Sequence, residues 1–152
     1  MLDMMIMDRL SPEKRSDVMS KIRGTGTKPE LALHSIVKSA LPRRKIEINF
    51  KSVSGSPDVY IPSLKLAIFA QGCFWHSCRK HGSRPSSNTE YWWPKLDSNA
   101  ARDARIQRSL RQLGIGVWVV WEHDLQFQRI DTTTARLSRR LENRAEYMRG
   151  GH

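Results

Sequence analysis

The spacing of apolar positions predicts four β-strands. Residues 45–50, KIEINF, alternate apolar with polar side chains, which is the period of a half-buried strand. Residues 57–61, PDVYI, and 64–70, LKLAIFA, predict two more strands, and the continuously apolar second one is expected in the centre of the sheet. Residues 117–122, VWVVWE, predict another buried strand. The chain is therefore expected to contain a central sheet.

Helix signals flank these segments. Ser11-Pro12-Glu13 supplies an N-cap and a first-turn proline, so a helix is predicted from about Pro12 to Ile22. Thr27 and Glu30 have the spacing of a capping box before a second amphipathic segment, LALHSIVKSAL. Residues 99–113 predict a basic helix that ends at Gly114, and a last helix follows the fourth strand. The pattern predicts an α/β protein.

Length and charge narrow the class of protein. A chain of 152 residues with 39% hydrophobic content is expected to fold as one domain, over residues 12–140, between an N-terminal extension (1–11) and a C-terminal tail (141–152). The formal net charge of +11 is typical of proteins that bind a phosphate backbone. A merely basic surface would have the same composition, so charge alone leaves both interpretations open.

The first seven residues, MLDMMIM, are too short for a membrane span and have no small-residue cleavage site after them. We therefore expect a cytoplasmic protein with no membrane partner. In a reducing compartment the two cysteines, Cys73 and Cys78, favour metal ligation over a disulfide.

Four residues have the composition of a zinc site. Cys73, Cys78 and His81 follow a C-x4-C-x2-H spacing, and His123 at the end of a later strand is a candidate fourth ligand. Two thiolates and two imidazoles suit tetrahedral Zn²⁺ and leave no open position, so the site should be structural. The competing interpretation is two buried cysteines beside two surface histidines.

Asp58 and His76 are candidates for phosphodiester chemistry. A hairpin between the second and third strands would bring Asp58 beside residues 69–71, where a carboxylate and a backbone carbonyl suit Mg²⁺. His76 follows Phe74-Trp75 and has an intrinsic pKa suited to proton transfer near a phosphate. An aspartate at a strand entry and a lone histidine are more often structural, and these alternatives remain open.

Five aromatic residues that would belong to the core in most proteins are concentrated in a segment rich in Gly, Ser, Pro and Arg, where they would instead stack on bases or wedge between them. A rigid zinc site beside the first two would anchor them, because this segment has little hydrophobic core of its own. The residues are Phe74, Trp75, Tyr91, Trp92 and Trp93.

Taken together, the stretches RSDVMSKIRGTGTKPELALHSIV, SPDVYIP, AIFAQGCFWHSCRKHG, NTEYWWPKL and NAARDARIQRSLRQLGIGVWVVWEHDL resemble the very short patch repair (Vsr) DNA mismatch endonucleases. The resemblance spans roughly residues 12–126, and GCFWH is its most specific motif. It implies a restriction-endonuclease-like core, with a mixed sheet flanked by helices. It also implies nicking of one strand of duplex DNA on the 5′ side of the mispaired T at a T·G mismatch.

The resemblance also implies catalytic roles. Asp58 matches the Mg²⁺-binding aspartate, and Ala70 matches a position whose backbone carbonyl binds the same metal. His76 matches the catalytic histidine, and Glu30 matches the acid that supports it. Gln71 stands where the family usually has a histidine near the scissile phosphate, and glutamine carries neither a proton nor a charge.

DNA contacts and the zinc site follow from the same resemblance. Phe74 and Trp75 match aromatics that wedge in beside the mismatch, Met19 matches an intercalating residue, and Trp92 matches an aromatic of the DNA-facing wall. His123 stands where the family usually has a cysteine, and imidazole is also a competent zinc ligand.

The sequence thus predicts a monomeric, nucleoid-associated, Mg²⁺-dependent DNA nicking endonuclease with structural Zn²⁺. Its partner is duplex DNA with a T·G mismatch, and mismatch repair proteins are candidate further partners. One alternative is a DNA-binding module of the same fold that has weak or no cleavage because of Gln71. Another is a zinc-stabilised RNA-binding protein, which fits the charge but does not explain Asp58.

Overall fold

The computed structural model describes residues 11–14 and 26–151. Residues 12–14 are helical, but the rest of the helix predicted to reach Ile22, including Met19, lies outside the described residues. The elements are α1 (Lys28–Ala40), β1 (Glu47–Ile48), β2 (Val59–Ile61), β3 (Leu66–Gln71), α2 (Thr89–Gln112), β4 (Gly116–Trp121) and α3 (Ile130–Arg149). Single 3-10 turns, Pro62–Leu64 and Glu122–Asp124, follow β2 and β4.

The four strands form one mixed sheet in the order β1-β2-β3-β4. β2 pairs antiparallel with β1 and with β3, whereas β3 and β4 run parallel and are connected through α2. The predicted α/β class with a central sheet is confirmed. β1 is shorter than the six residues predicted, because Asn49 adopts a left-handed conformation (φ 50°) that interrupts an extended strand.

Local sequence accounts for α1. The Thr27 hydroxyl accepts a hydrogen bond from the Glu30 amide (3.5 Å), and the Glu30 carboxylate accepts one from the Gly26 amide (2.8 Å). The N-terminal signal read from the sequence is thus present, and it leaves Glu30 buried at the start of the helix. α2 begins ten residues earlier than predicted, because the aromatic segment after Asn88 is helical despite Pro94.

The hydrophobic core lies between the sheet and the two helices α1 and α3. It continues past residue 140, where the sequence suggested the start of a tail, because Leu141 and Ala145 of α3 are buried. Its most buried members include Leu33, Val37, Ile61, Leu64, Leu66, Ile68 and Leu137. Among the described residues, no helix is long and apolar enough to span a membrane.

Arg144 ties α3 to the turn that joins β2 and β3. Its guanidinium donates to the backbone carbonyls of Leu64 (3.0 Å) and Lys65 (3.1 Å). Lys65 is held in a left-handed conformation (φ 45°), so these bonds support a turn that residue type alone does not favour. The turn determines the antiparallel pairing of β2 with β3.

Replacing Arg144 by alanine should therefore lower the free energy of unfolding by about 1–3 kcal/mol, because two carbonyls lose a charged donor. Arg149→Ala, at an exposed position in the last turn of the same helix, should change it by less than about 0.5 kcal/mol. Urea unfolding monitored by circular dichroism measures both values. Equal effects would show that the Arg144 contacts do not stabilise the fold.

Candidate active site and metal centre

The pairing of β2 with β3 brings Asp58 against Ala70. Val59 lies opposite Ile68 in this antiparallel ladder, so Asp58, just before β2, reaches the far end of β3. The Asp58 carboxylate accepts a hydrogen bond from the Ala70 amide at 2.7 Å. The hairpin predicted from the sequence thus joins the two residues that the resemblance had assigned to one metal.

Asp58 sits in an environment that disfavours its charge. Burial is the main factor that raises the pKa of its carboxyl group to about 6, and the negative charge of Glu30 raises it further, although the Ala70 hydrogen bond opposes both. Glu30 is itself buried. A cation at this position would relieve the repulsion between the two carboxylates, so they are suited to bind a divalent metal.

His76 is oriented by Asp103. Its Nδ1 lies 2.5 Å from Asp103 Oδ2, so Nδ1 carries a hydrogen and Nε2 is left as the atom that can exchange a proton. Asp103 is not among the residues predicted for the site, where Glu30 was expected to support His76. Glu30 instead accepts a hydrogen bond from the Gly26 amide, and its charge raises the pKa of Asp58. The available signal was that Asp103 is the only acid between residues 99 and 112.

His76 and Asp103 line a cavity of about 500 Å³. Gln71, the last residue of β3, is buried at the cavity wall, and the cations Arg79 and Lys80 lie at the same cavity. The Asp58 carboxylate accepts a hydrogen bond from the Ala70 amide, and the next residue, Gln71, borders the cavity. Asp58 and the cavity therefore both lie near the end of β3.

The aromatic residues form one cluster in which exposure differs. Phe74 and Trp75 are partly exposed and meet edge to face with ring centroids 5.1 Å apart. Trp92 is 1% exposed and lies behind them, at 5.4 Å from Phe74 and 6.1 Å from Trp75. The buried Trp92 ring has no face available to a base, and it instead supports Phe74 and Trp75, here called the aromatic wedge. In the later aromatic segment, Tyr91 and Trp93 are the exposed residues.

Cys73, Cys78, His81 and His123 come together as predicted, with one ligand atom from each lying within 4.8 Å of the others. His123 Nδ1 lies 3.2 Å from Cys73 Sγ and 3.7 Å from Cys78 Sγ, close to the roughly 3.3–3.8 Å between ligands of a tetrahedral zinc ion. Both cysteines are free thiols. The four side chains can therefore hold a metal ion.

A tight turn builds this cluster. The Cys78 amide donates to the Cys73 carbonyl (2.9 Å) and the Gly82 amide to the Cys78 carbonyl (2.8 Å). A side-chain carbon at Gly82 would lie 2.6 Å from the Cys78 carbonyl oxygen, so only glycine fits there. The turn thus brings His81 back toward the two sulfurs.

A family model and several known proteins match this chain. A family model described as DNA mismatch endonuclease Vsr matches residues 7–81. The type II nicking enzyme V.XorIIP of Xanthomonas oryzae pv. oryzae is 42% identical over 120 residues, which cover 78% of this chain and 86% of that protein. The chain belongs to the Vsr family of DNA mismatch endonucleases.

Two further relatives extend this family assignment. The type II nicking enzyme V.NaeI of Lentzea aerocolonigenes is 40% identical, over 72% of this chain and 68% of its own length. The DNA mismatch endonuclease Vsr of Escherichia coli is 37% identical over 92 residues, which cover 60% of this chain and 58% of that protein. The Vsr family resemblance seen in the sequence is confirmed.

The electrostatics of the Cys/His cluster in this Vsr-family chain suit a metal ion. Burial is the main factor that lowers the pKa of His123. The positive charges of Arg129 and Lys80 lower it further, while the negative charge of Asp124 opposes the shift. The ring therefore stays neutral and able to coordinate. Burial opposes ionisation of Cys78, but hydrogen bonds from nearby backbone amides together lower the pKa of its thiol. The pKa of Cys73 is raised to about 11, chiefly by burial. A metal would replace the thiol protons.

Replacing Cys78 by serine should abolish stoichiometric metal and lower the free energy of unfolding by about 4 kcal/mol or more, because ligand loss leaves the other three unpaired. Elemental analysis and thermal melting with and without a chelator measure both effects. Ser83→Ala, at an exposed position in the same segment, serves as the control and should retain the metal. Full metal content in the Cys78 variant would contradict this assignment.

Proposed function

We propose that this Vsr-family protein is a Mg²⁺-dependent endonuclease that nicks one strand of duplex DNA on the 5′ side of the mispaired T at T·G mismatches. The observation that carries the proposal is the Asp58–Ala70 pair at the end of β3, close in the chain to the oriented His76 and the aromatic wedge. The names of the relatives, which describe nicking enzymes and a mismatch endonuclease, agree with it. We also propose a restriction-endonuclease-like core, on the basis of the mixed sheet and its flanking helices.

Asp58 and the Ala70 carbonyl would hold the Mg²⁺, with Glu30 adding negative charge nearby. Mg²⁺ favours oxygen ligands and completes its shell with water and substrate phosphate, so one carboxylate and one carbonyl are sufficient protein ligands. When bound, the metal supplies charge neutralisation at the phosphate and lowers the pKa of a coordinated water. Because the pKa of Asp58 is raised to about 6, a bound cation would favour its charged carboxylate over the protonated form.

His76 would move the proton during hydrolysis. Asp103 holds the hydrogen on Nδ1, which leaves Nε2 to exchange a proton with the attacking water or with the leaving oxygen. Water adds to phosphorus as the phosphodiester P–O bond breaks, and the leaving oxygen ends as a hydroxyl group. The Asp103 carboxylate also stabilises the imidazolium form of His76 while it carries the extra proton.

The aromatic wedge would select the substrate. Phe74 and Trp75 project from a turn that the Cys/His cluster holds on one side, and Trp92 supports both rings from behind. Unstacking a mismatched base pair costs less free energy than unstacking a Watson–Crick pair, so a rigid wedge inserts preferentially beside a mismatch. We assign Zn²⁺ to the Cys/His cluster as a structural ion, because four protein ligands leave no position for substrate.

A second candidate function is a DNA-binding module with weak or absent cleavage. It is favoured by Gln71, which is buried at the His76 cavity and can hydrogen-bond a phosphate oxygen but cannot carry a proton or charge. This module would keep the wedge, the metal-stabilised turn and the basic surface. Binding without nicking would distinguish it from the enzyme.

Single-turnover nicking of a T·G duplex, with each strand labelled separately, tests the proposed function. The parent protein should nick one strand in Mg²⁺ and should leave the matched T·A duplex largely intact. Asp58→Asn should lose at least about 100-fold in rate while binding the T·G duplex normally, because only a metal ligand is removed. Parent protein that binds the mismatch and nicks neither strand would identify the DNA-binding module instead.

The ionisation of Asp58 should determine how the nicking rate depends on pH. Because only its carboxylate binds metal and its pKa is about 6, the nicking rate should fall about tenfold per pH unit below pH 6. Higher Mg²⁺ should move the midpoint to lower pH, since metal and proton compete for the same oxygens.

Without metal, the raised pKa makes the ionised Asp58 destabilising above pH 6. Asp58→Asn should therefore melt higher than the parent at pH 7.5; a lower melting temperature would contradict the environment described for Asp58.

A further inference from the structure

One face of α2 forms a groove that leads away from His76. The cavity at His76 is lined on its helical side by Ala100, Asp103, Ala104 and Gln107. A second cavity of about 490 Å³ is lined by Ala104, Gln107, Arg108, Arg111 and Gln112. Because Ala104 and Gln107 border both, the two cavities form one continuous depression, here called the α2 groove.

The groove follows helical periodicity. Its lining positions recur every three or four residues from Ala100 to Gln112, so they lie on one face of α2. Twelve residues at 1.5 Å each give a length of about 18 Å. At the end that contains His76 and Asp103, the lining residues Ala100 and Ala104 are small, whereas the long side chains of Arg108 and Arg111 border the far end.

The charge that the groove presents is positive. Its two carboxylates are already paired, Asp103 with His76 and Asp124 with Arg129 and Arg136. Arg79, Lys80, Arg108 and Arg111 are exposed, and within the described part of the chain none of them contacts a carboxylate. The uncompensated cations therefore line both ends of a path that starts at the candidate catalytic histidine.

We propose that the α2 groove binds the sugar-phosphate backbone of the cleaved strand on one side of the scissile phosphate. This rests on the proposed function, because His76 marks where that phosphate would lie. Phosphates of one strand are spaced about 3.4 Å along a duplex axis and farther apart along the strand itself, so about 18 Å of groove spans at most about five nucleotides. Apart from Asp103, which is paired with His76, the α2 side of the groove is Ala, Gln and Arg, which suits phosphate and sugar better than the apolar anchors of a peptide partner.

Paired variants with equal charge change test the groove. Arg108→Ala/Arg111→Ala removes two groove cations, whereas Arg105→Ala/Arg139→Ala removes two exposed arginines that do not line it. Affinity for the T·G duplex is measured without Mg²⁺ at several salt concentrations. The slope of log affinity against log salt should become shallower by about 2 in the groove variant, about 1 per arginine, and by less than about 0.5 in the control. All four side chains are exposed, so melting temperatures should match the parent.

Shortening the DNA identifies which side of the nick the groove covers. Removing the five nucleotide pairs on one side of the nick should weaken parent binding about as much as the double groove variant does, and should not weaken that variant further. The same removal on the other side should affect both proteins equally. Equal salt slopes for the two double variants, or no difference between the truncations, would overturn the proposal. The groove would then bind either a peptide or nothing. A parent that fails to nick but shows the predicted slopes would overturn the proposed function alone.

Discussion

Antiparallel pairing of β2 with β3 is the constraint on which the proposed active site depends. It brings a carboxylate at the start of one strand to the end of the next, where Asp58 lies 2.7 Å from the Ala70 amide. The Arg144 hydrogen bonds to the connecting turn support this register at the other end of the hairpin. A slip of one residue would move Asp58 to the other face and separate it from Glu30.

The burial of two neighbouring acids lowers the stability of the fold, and the proposed function gives a reason for it. Two acids, Asp58 and Glu30, lie partly or wholly buried near each other, and burial raises the pKa of Asp58 to about 6. A divalent cation at the proposed metal site would neutralise the pair, and active sites generally lose stability in order to hold a group poised for reaction. Around this centre, α2 serves three purposes: Trp92 supports the wedge, Asp103 orients His76, and two exposed arginines line the groove.

Much of this could be predicted from the sequence, because period and spacing are local signals. Strand and helix types, the capping box at Thr27 and the Cys/His cluster all follow from residues close in the chain or from a short list of metal ligands. The roles of Asp103 and Trp92 could not be predicted in this way. Each depends on how α2 packs against the 72–82 turn, which is a tertiary contact with no local signature.

The start of α2 shows the same limit. Gly, Ser and Pro residues before Asn88 and Pro94 within the segment indicate a loop, yet the helix begins at Thr89. Pro94 lies in the second turn, where it removes only the one intrahelical hydrogen bond that its missing N–H would donate to the Glu90 carbonyl, and the helix continues through it. Burial of Trp92 and Leu96 then stabilises the aromatic part of the helix. Burial against the rest of the fold therefore overrides local propensity in this segment.

The metal role of Asp58 can be tested by anomalous diffraction from Mn²⁺, used in place of Mg²⁺ in crystals of the protein with a T·G duplex. We expect one strong peak within about 2.3 Å of an Asp58 carboxylate oxygen and the Ala70 carbonyl, in contact with the phosphate on the 5′ side of the mispaired T. A metal bound elsewhere, with Asp58 still bonded only to the Ala70 amide, would contradict it.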